Sequence, residues 1–298
     1  MNRRTILLAL LGGVFLLVTV AGITLAVLAT SRGGEIGLGG RIALIEIDGI
    51  LYDDAELLEK IEWLREDPSV RGFVVAINSP GGVVAPSQSI YATLREIRDE
   101  DGLPVVASIG GVGASGGYYV ALGADSIYVL PGSITGSIGV IMEFPNASEL
   151  MDKIGVRMET VQSSEHKDIG SPFRDMTEGD RALLQAVVQD VYDQFVDVVA
   201  AERELPRDVV LAIADGRLLS GRQAIRAGLA DAEGNIEDAI AAAGRMAELG
   251  DDPYVVRPPE PDRGLFDRML FGRSSVLGRL LEVRETGAGP SLRYVPAF

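Results

Sequence analysis

Two apolar runs, each followed by a glycine-rich turn and a helical pattern, constrain the fold of this chain most strongly. Residues 72–78 and 105–109 are apolar at nearly every position, which is typical of strands buried on both faces of a sheet. A turn at 79–82 leads from the first run into a helical pattern at about 87–99. Strand, helix and strand in this order predict a right-handed parallel crossover. The sequence therefore predicts an α/β domain built on a parallel sheet.

Further patterns extend this prediction into one domain over residues 41–250. Thr177, with Asp180 three positions later, predicts the capped start of a long helix. The glycines of 33–40 predict a linker, and 251–298 reads as a proline-rich linker with an amphipathic helix at about 265–281. Additional strands are predicted at 42–47, 126–130 and 156–162. Shorter helices are predicted near 57–64, 115–123, 206–214, 220–227 and 236–248.

An uncharged N-terminal run predicts a membrane anchor within residues 1–32. Residues 6–29 are apolar and long enough to cross the hydrocarbon core as a helix, in contact with lipid. A cleaved signal peptide is the alternative, although its apolar region is normally shorter. Arg3 and Arg4 precede the run, whereas Arg32 and Glu35 follow it, so the N-terminus is predicted to be cytoplasmic and the catalytic domain extracytoplasmic.

The composition restricts the chemistry that the chain can perform. A formal net charge of -16 argues against a nucleic-acid partner. Without cysteine and with one histidine, the chain cannot build a thiolate or multi-histidine metal site, so no metal is expected. No dinucleotide or phosphate loop is completed either, and no cofactor is expected. Hydroxyls, carboxylates, amines and backbone groups remain available for catalysis.

The segment 110–119 carries the strongest chemical signal, because it follows a buried strand and opens a helix. Ser115 lies at this turn, where its hydroxyl is a candidate nucleophile. The backbone N–H of Gly116 can stabilise a developing negative charge, and Gly82 in the turn at 79–82 is the candidate for a second donor. Two such amides would form an oxyanion hole, although glycines at α/β turns are often purely structural.

A serine nucleophile needs a base, and the candidates are the adjacent residues His166 and Lys167. A lysine serves as a base only when its amine is uncharged, which requires a dry site, and an exposed loop lysine is the ordinary alternative. Asp168 would oppose this if its carboxylate lay beside the amine, so we expect it to point away. Among the hydroxyls of residues 133–140, Ser137 is the candidate that orients the lysine.

Five motifs in order make the chain resemble the signal peptide peptidase A family of membrane-anchored Ser/Lys proteases. The resemblance runs from about residue 41 to 243. One departure is Gly113, where the family often has alanine, and the loss of one methyl group should not alter the chemistry. The motifs are INSPGG at 77–82, ASGGYY at 114–119, ITGSIGV at 134–140, KDIGSPFRDMT at 167–177, and DGR at 215–217 with GRQA at 221–224 and GL at 228–229.

The resemblance implies a role for each matched residue. Ser115 would be the nucleophile, Lys167 the general base and Ser137 its orienting hydroxyl, while Gly82 and Gly116 would supply the oxyanion donors. It also implies a Clp-protease/crotonase-like spiral of βαβ units and a homo-oligomer whose active sites are shared between protomers. The expected substrates are peptides, namely remnant signal peptides or membrane-derived segments.

Two other functions compete with this interpretation. A crotonase-type acyl-CoA enzyme would need acidic catalytic residues near its oxyanion holes, and none occurs in 110–119. A proteolytically inactive membrane scaffold of the same fold is the second alternative.

Overall fold

The computed structural model describes residues 40–259 and 292–294, together with Leu17, Thr19 and Val20, which are helical. Among these residues, no helix is both long and apolar enough to cross a membrane. Apart from those three positions, the predicted anchor at 6–29 lies outside the described residues, as does the predicted helix at about 265–281. The described residues from 41 onward belong to one compact unit.

The described unit consists of β-strands and α-helices that largely alternate along the chain. The strands are β1 (Arg41–Asp48), β2 (Val70–Ser79), β3 (Gly82–Val83), β4 (Val105–Ala114), β5 (Ser126–Val129), β6 (Ile134–Gly136), β7 (Ile141–Met142), β8 (Leu218–Ser220), β9 (Ala232–Glu233), β10 (Tyr254–Val256) and β11 (Leu292–Tyr294). The helices are α1 (Ala55–Arg65), α2 (Val84–Asp99), α3 (Gly116–Ala121), α4 (Ser148–Ile154), α5 (Glu178–Glu202), α6 (Arg207–Leu211), α7 (Gly221–Arg226) and α8 (Ile236–Met246).

The main sheet has the strand order β10-β1-β2-β4-β5-β9, and each neighbouring pair along this path is parallel. This confirms the predicted α/β class with a parallel sheet. The strand β6 pairs parallel with the end of β4, and β8 pairs antiparallel with β6. The edge strand β10 lies in the segment that the sequence suggested as a linker.

Both faces of the sheet are buried, because alternate side chains of each strand enter different apolar clusters. On one face, Ile42 and Leu44 of β1 pack with Ile240 and Ala243 of α8. On the other face, Ile45 joins the larger cluster, which also contains side chains of α1, α2, α3 and α5. This two-sided burial explains why the central strands are apolar at nearly every position.

The long helix α5 begins where the sequence predicts. The Thr177 hydroxyl accepts a hydrogen bond from the Asp180 N–H, and the Asp180 carboxylate accepts one from the Thr177 N–H. This capping box pairs two N–H groups that would otherwise lack partners. Because Val191, Phe195 and Val199 are buried in the core, α5 is a fixed support for the loop that precedes it.

A second, smaller sheet has the order β3-β11-β7, and β11 is antiparallel to both neighbours. It joins segments far apart in sequence, and no local pattern predicts it. In register, Tyr294 lies opposite Gly82, Arg293 opposite Val83 and Ile141, and Leu292 opposite Met142.

The predicted strand at 156–162 is wrong. This segment is irregular and exposed, and Val161 is fully exposed. Its apolar residues resemble one side of a strand, but it pairs with no strand in the described part of the chain, and a strand forms only where a neighbour satisfies its backbone groups.

Candidate active site

Ser115 connects the end of β4 to the start of α3 in a conformation that is rare for a residue with a side chain. Its backbone has φ 53° and ψ -115°. The Ser115 N–H donates to the Gly136 carbonyl at 2.8 Å, and the Ser115 carbonyl accepts from the Tyr119 N–H at 2.8 Å. A positive φ in a residue with a Cβ is costly and persists where the surroundings hold it. Here β6 and α3 supply those bonds.

The Ser115 hydroxyl is buried and has no hydrogen-bond partner. Ser115 is 0% exposed. Among the described residues, its Oγ is the one buried side-chain polar atom that lacks a hydrogen-bond partner. Such an atom costs about 1–3 kcal/mol, because its bond to water is lost and not replaced. Isolated polar atoms of this kind commonly mark a functional site.

Gly82 and Gly116, the two candidate oxyanion donors, lie side by side. A Cβ added to Gly116 would be 3.1 Å from the Gly82 nitrogen and 2.6 Å from Ser87 Oγ. A Cβ added to Gly82 would be 2.0 Å from the Leu51 carbonyl oxygen. Both positions therefore require glycine, and the close approach brings the two strand-to-helix turns together.

Ser137 lies beside Ser115, because Ala114 and Gly136 are paired at the ends of β4 and β6. Ser137 also has a positive φ, 52°, and it is 4% exposed. Its N–H donates to the Arg217 carbonyl at 2.8 Å. The two buried serines thus follow neighbouring strand ends, each in a strained conformation held by backbone hydrogen bonds.

Three other hydroxyls shape the site, and the sequence did not assign them a role. Ser133 Oγ lies 3.0 Å from the Ile109 carbonyl and 2.6 Å from the Gly110 carbonyl, and it accepts from the Leu130 N–H at 3.0 Å. Thr135 Oγ1 donates to the Gly113 carbonyl at 2.7 Å, and Ser79 Oγ accepts from the Gly81 N–H at 3.1 Å. The sequence signal that could have identified these three residues is a serine or threonine next to a glycine-rich turn.

Neither candidate base reaches Ser115 within the chain. Lys167 lies in the irregular loop between α4 and α5, and its side chain is exposed, whereas Ser115 is fully buried without a hydrogen-bond partner. His166 is half exposed, and its Nδ1 lies 3.6 Å from Asp180 Oδ1. The structure therefore brings together Ser115, Ser137 and the two glycines but leaves Lys167 apart from them.

Asp168 is paired with Arg174. The Arg174 Nε and Nη2 donate to the two oxygens of Asp168, each at 2.8 Å. This guanidinium holds the pKa of the Asp168 carboxyl below its ordinary value, mainly through the hydrogen bonds. Both oxygens of the Asp168 carboxylate are thus bound by Arg174, and its direction relative to the lysine amine stays a prediction.

These features define an α/β protein whose site is suited to acyl transfer: a buried hydroxyl at a strained strand-to-helix turn, with backbone amides beside it. A family model for peptidase family S49 matches residues 97–250, just over half of the chain. The matched region contains Ser115, Ser137 and Lys167. The chain belongs to this family, the signal peptide peptidase A family, and is thus a peptidase.

Individual relatives agree with this assignment. A Synechocystis protein provisionally named as a protease is 37% identical over 238 residues, which cover 79% of this chain and 85% of that protein. Protease 4 of Salmonella typhi is 34% identical over 220 residues, or 71% of this chain and 35% of the relative. The chloroplastic serine protease SPPA of Arabidopsis thaliana is 32% identical over 226 residues, or 75% of this chain and 33% of the relative.

Proposed function

We propose that the protein is a membrane-anchored serine endopeptidase in which Ser115 is the nucleophile and Lys167 the general base. The observation that carries this proposal is the buried, unpartnered Ser115 Oγ beside the amides of Gly82 and Gly116. A nucleophilic hydroxyl takes its partners from the base and from the substrate carbonyl, and this accounts for the unpaired atom. A purely structural serine would be expected to have a partner.

The proposed reaction is acyl transfer to Ser115. The neutral Lys167 amine accepts the proton from Ser115 Oγ as that oxygen attacks the carbonyl carbon of the peptide bond. The N–H groups of Gly82 and Gly116 stabilise the oxyanion that forms. The C–N bond then breaks, and Lys167 gives its proton to the leaving amine. Water hydrolyses the acyl-enzyme in a second step of the same kind.

We propose that the lysine of one copy serves the serine of another, as the resemblance to the family implies. The exposure of Lys167 and its separation from Ser115 in the single chain support this arrangement. Ser137 would orient the incoming amine, and its burial beside Ser115 supports this role. Burial of the lysine against that neighbour would also supply the dry surroundings that an uncharged amine needs.

A mixing experiment tests whether the site is shared. We expect Ser115→Ala and Lys167→Ala chains, each inactive alone, to regain activity when they are co-expressed with different tags and purified together. Random pairing gives roughly a quarter of the wild-type activity per site. Mixed complexes that are confirmed by both tags yet remain inactive would indicate a site within one chain.

The small sheet supports an extended peptide as the substrate. In it, β11 lies as the middle strand between β3, which contains Gly82, and β7, which follows the Ser137 segment. A peptide bound in the same gap would pair with both strands through its backbone and pass close to the oxyanion donors. Backbone pairing of this kind accepts many sequences, as the removal of remnant signal peptides requires.

Deletion of residues 291–298, which removes β11, is expected to lower KM for a peptide substrate severalfold with little change in kcat. The reason is that β11 and the substrate would compete for the same two strand edges. Deletion of residues 295–298 retains β11 and is the matched control. An unchanged KM after removal of β11 would contradict this mode of substrate binding.

The remaining elements of the proposal rest on the sequence. Residues 6–29 would anchor the protein in the cell membrane, with the N-terminus cytoplasmic and the catalytic domain extracytoplasmic. The βαβ units would follow the Clp-protease/crotonase-like spiral of the family. The substrates would be signal peptide remnants or membrane-derived peptides that are released near this anchor.

A further inference from the structure

We propose that Arg174 is a positioning residue for the base Lys167, because it ties the residue next to the lysine to the N-terminus of α5. This inference rests on the proposed function, in which Lys167 accepts the proton from Ser115. Arg174 would not touch the substrate itself. It would act by fixing the loop from which the lysine is presented to a neighbouring copy.

The guanidinium of Arg174 connects two carboxylates that lie on either side of it in sequence. It binds both oxygens of Asp168, and its Nη1 donates to Asp180 Oδ2 at 2.5 Å. Bidentate arginine–carboxylate pairs fix direction as well as distance, because both groups are planar. The Arg174–Asp168 pair therefore restricts residue 168, which a single peptide bond joins to the lysine.

Asp180 provides a rigid end for this connection. It is 2% exposed and belongs to the capping box of α5 with Thr177. Arg174 holds the pKa of the Asp180 carboxyl far below its ordinary value, mainly through the hydrogen bond, so this anchor stays charged at neutral pH. Since α5 packs into the core, the loop is fastened to the body of the domain rather than to another loop.

Besides the contact of His166 with Asp180, 3.6 Å from Nδ1 to Oδ1, the other long-range contacts of this loop lie beyond the lysine. Gly170 packs against the Phe144 ring, and the Pro172 carbonyl accepts from the Ala147 N–H at 2.7 Å. Lys167 itself is held only by the local bond from its N–H to the Ser164 carbonyl, 3.2 Å long, among the described residues. The two long-range contacts closest to the lysine therefore both lead to Asp180: His166 on one side at 3.6 Å, and on the other side Asp168 through Arg174, whose hydrogen bonds of 2.5–2.8 Å are the shorter ones.

The same contact controls the charge beside the lysine. The Asp168 carboxylate, if released, would favour the charged ammonium of its neighbour and so oppose its use as a base. The positive charge of Arg174 offsets the negative charge of that carboxylate, and the ion pair keeps the carboxylate in place. The segment 144–147, which packs against the loop, has no charged residue. In sequence, the charged or titratable residues other than the lysine between residue 163 and the first turn of α5 are Glu165, His166, Asp168, Arg174, Asp175, Glu178, Asp180 and Arg181.

The test compares Arg174→Ala with Arg207→Ala in the full-length protein. Arg207 is a matched control, since it also bridges two aspartates, Asp193 and Asp197, at 2.6 and 2.7 Å, and it has no proposed role in the site. The measurement is kcat/KM for a peptide substrate as a function of pH, with thermal unfolding recorded for each variant.

We expect Arg174→Ala to lower the maximum kcat/KM by on the order of 10²-fold, as a misplaced catalytic group does. The ascending limb of its pH profile should lie at higher pH than in the wild type, because the freed Asp168 favours the ammonium form. Adding Asp168→Asn should return the limb toward the wild-type position without restoring the maximum rate. The Arg207→Ala profile should match the wild type.

The inference is overturned if Arg174→Ala has the same kcat/KM and the same pH profile as Arg207→Ala. It is also overturned if the ascending limb is shifted in Arg174→Ala and adding Asp168→Asn does not move it back. Lys167→Ala, measured in parallel, separates this failure from that of the proposed function. An active Lys167→Ala variant removes lysine as the base altogether. An inactive one, beside an unimpaired Arg174→Ala variant, removes only the role of Arg174.

Discussion

The Ser115→Ala variant is expected to lose peptide hydrolysis and yet to be at least as stable as the wild type. Loss of the nucleophile should lower kcat on the order of 10⁶-fold. Because the Ser115 hydroxyl is buried without a partner, its removal should leave the free energy of unfolding unchanged or raise it by about 1 kcal/mol. Denaturant unfolding, measured beside peptide hydrolysis, checks both parts.

Ser133→Ala is the control for this prediction, since it also removes a buried hydroxyl from the site. Ser133 Oγ contacts two carbonyls and one N–H, so its loss leaves buried backbone groups without partners. We expect the free energy of unfolding to fall by about 1–3 kcal/mol. A comparable loss of stability in Ser115→Ala would show that the Ser115 hydroxyl supports the fold and is not held ready for chemistry.

Lys167→Arg is expected to be nearly as inactive as Lys167→Ala, although it keeps the positive charge. Arginine cannot be deprotonated in a protein, so it cannot accept the proton from Ser115. Since Lys167 is exposed in the single chain, the free energy of unfolding of the dissociated chain should stay within about 0.5 kcal/mol of the wild-type value. Peptide hydrolysis and denaturant unfolding of both variants provide the measurement. Substantial activity in the arginine variant would restrict the lysine to an electrostatic role.

The central architecture could be predicted because local and long-range signals agree there. Continuous apolar runs marked the buried strands β2 and β4, and Thr177 with Asp180 marked the start of α5. Ser115, Gly82 and Gly116 were candidates because they lie in strand-to-helix turns, and parallel strands present their C-terminal ends at one edge of a sheet. The structure brings these three residues together as that rule requires.

The remaining features depend on partners that no local pattern specifies. The small sheet consists of strands of two or three residues, and β11 is separated from β7 by about half the chain. Residues 156–162 have an apolar pattern suited to a strand but lack a neighbour among the described residues. The sequence does not predict the proposed role of Arg174. Its motif shows only that it lies near Lys167 along the chain, and its hydrogen bond to Asp180 depends on the position of α5 in the folded protein.

The most direct test of the account is reaction with a fluorophosphonate, in which the nucleophilic oxygen attacks phosphorus and displaces fluoride. Mass spectrometry of the digested protein then locates the new oxygen–phosphorus bond. We predict that the wild type is labelled at Ser115, that Lys167→Arg is labelled far more slowly, and that Ser115→Ala is not labelled. Labelling at another residue, or labelling that persists in Ser115→Ala, would contradict the assignment of Ser115 as the nucleophile.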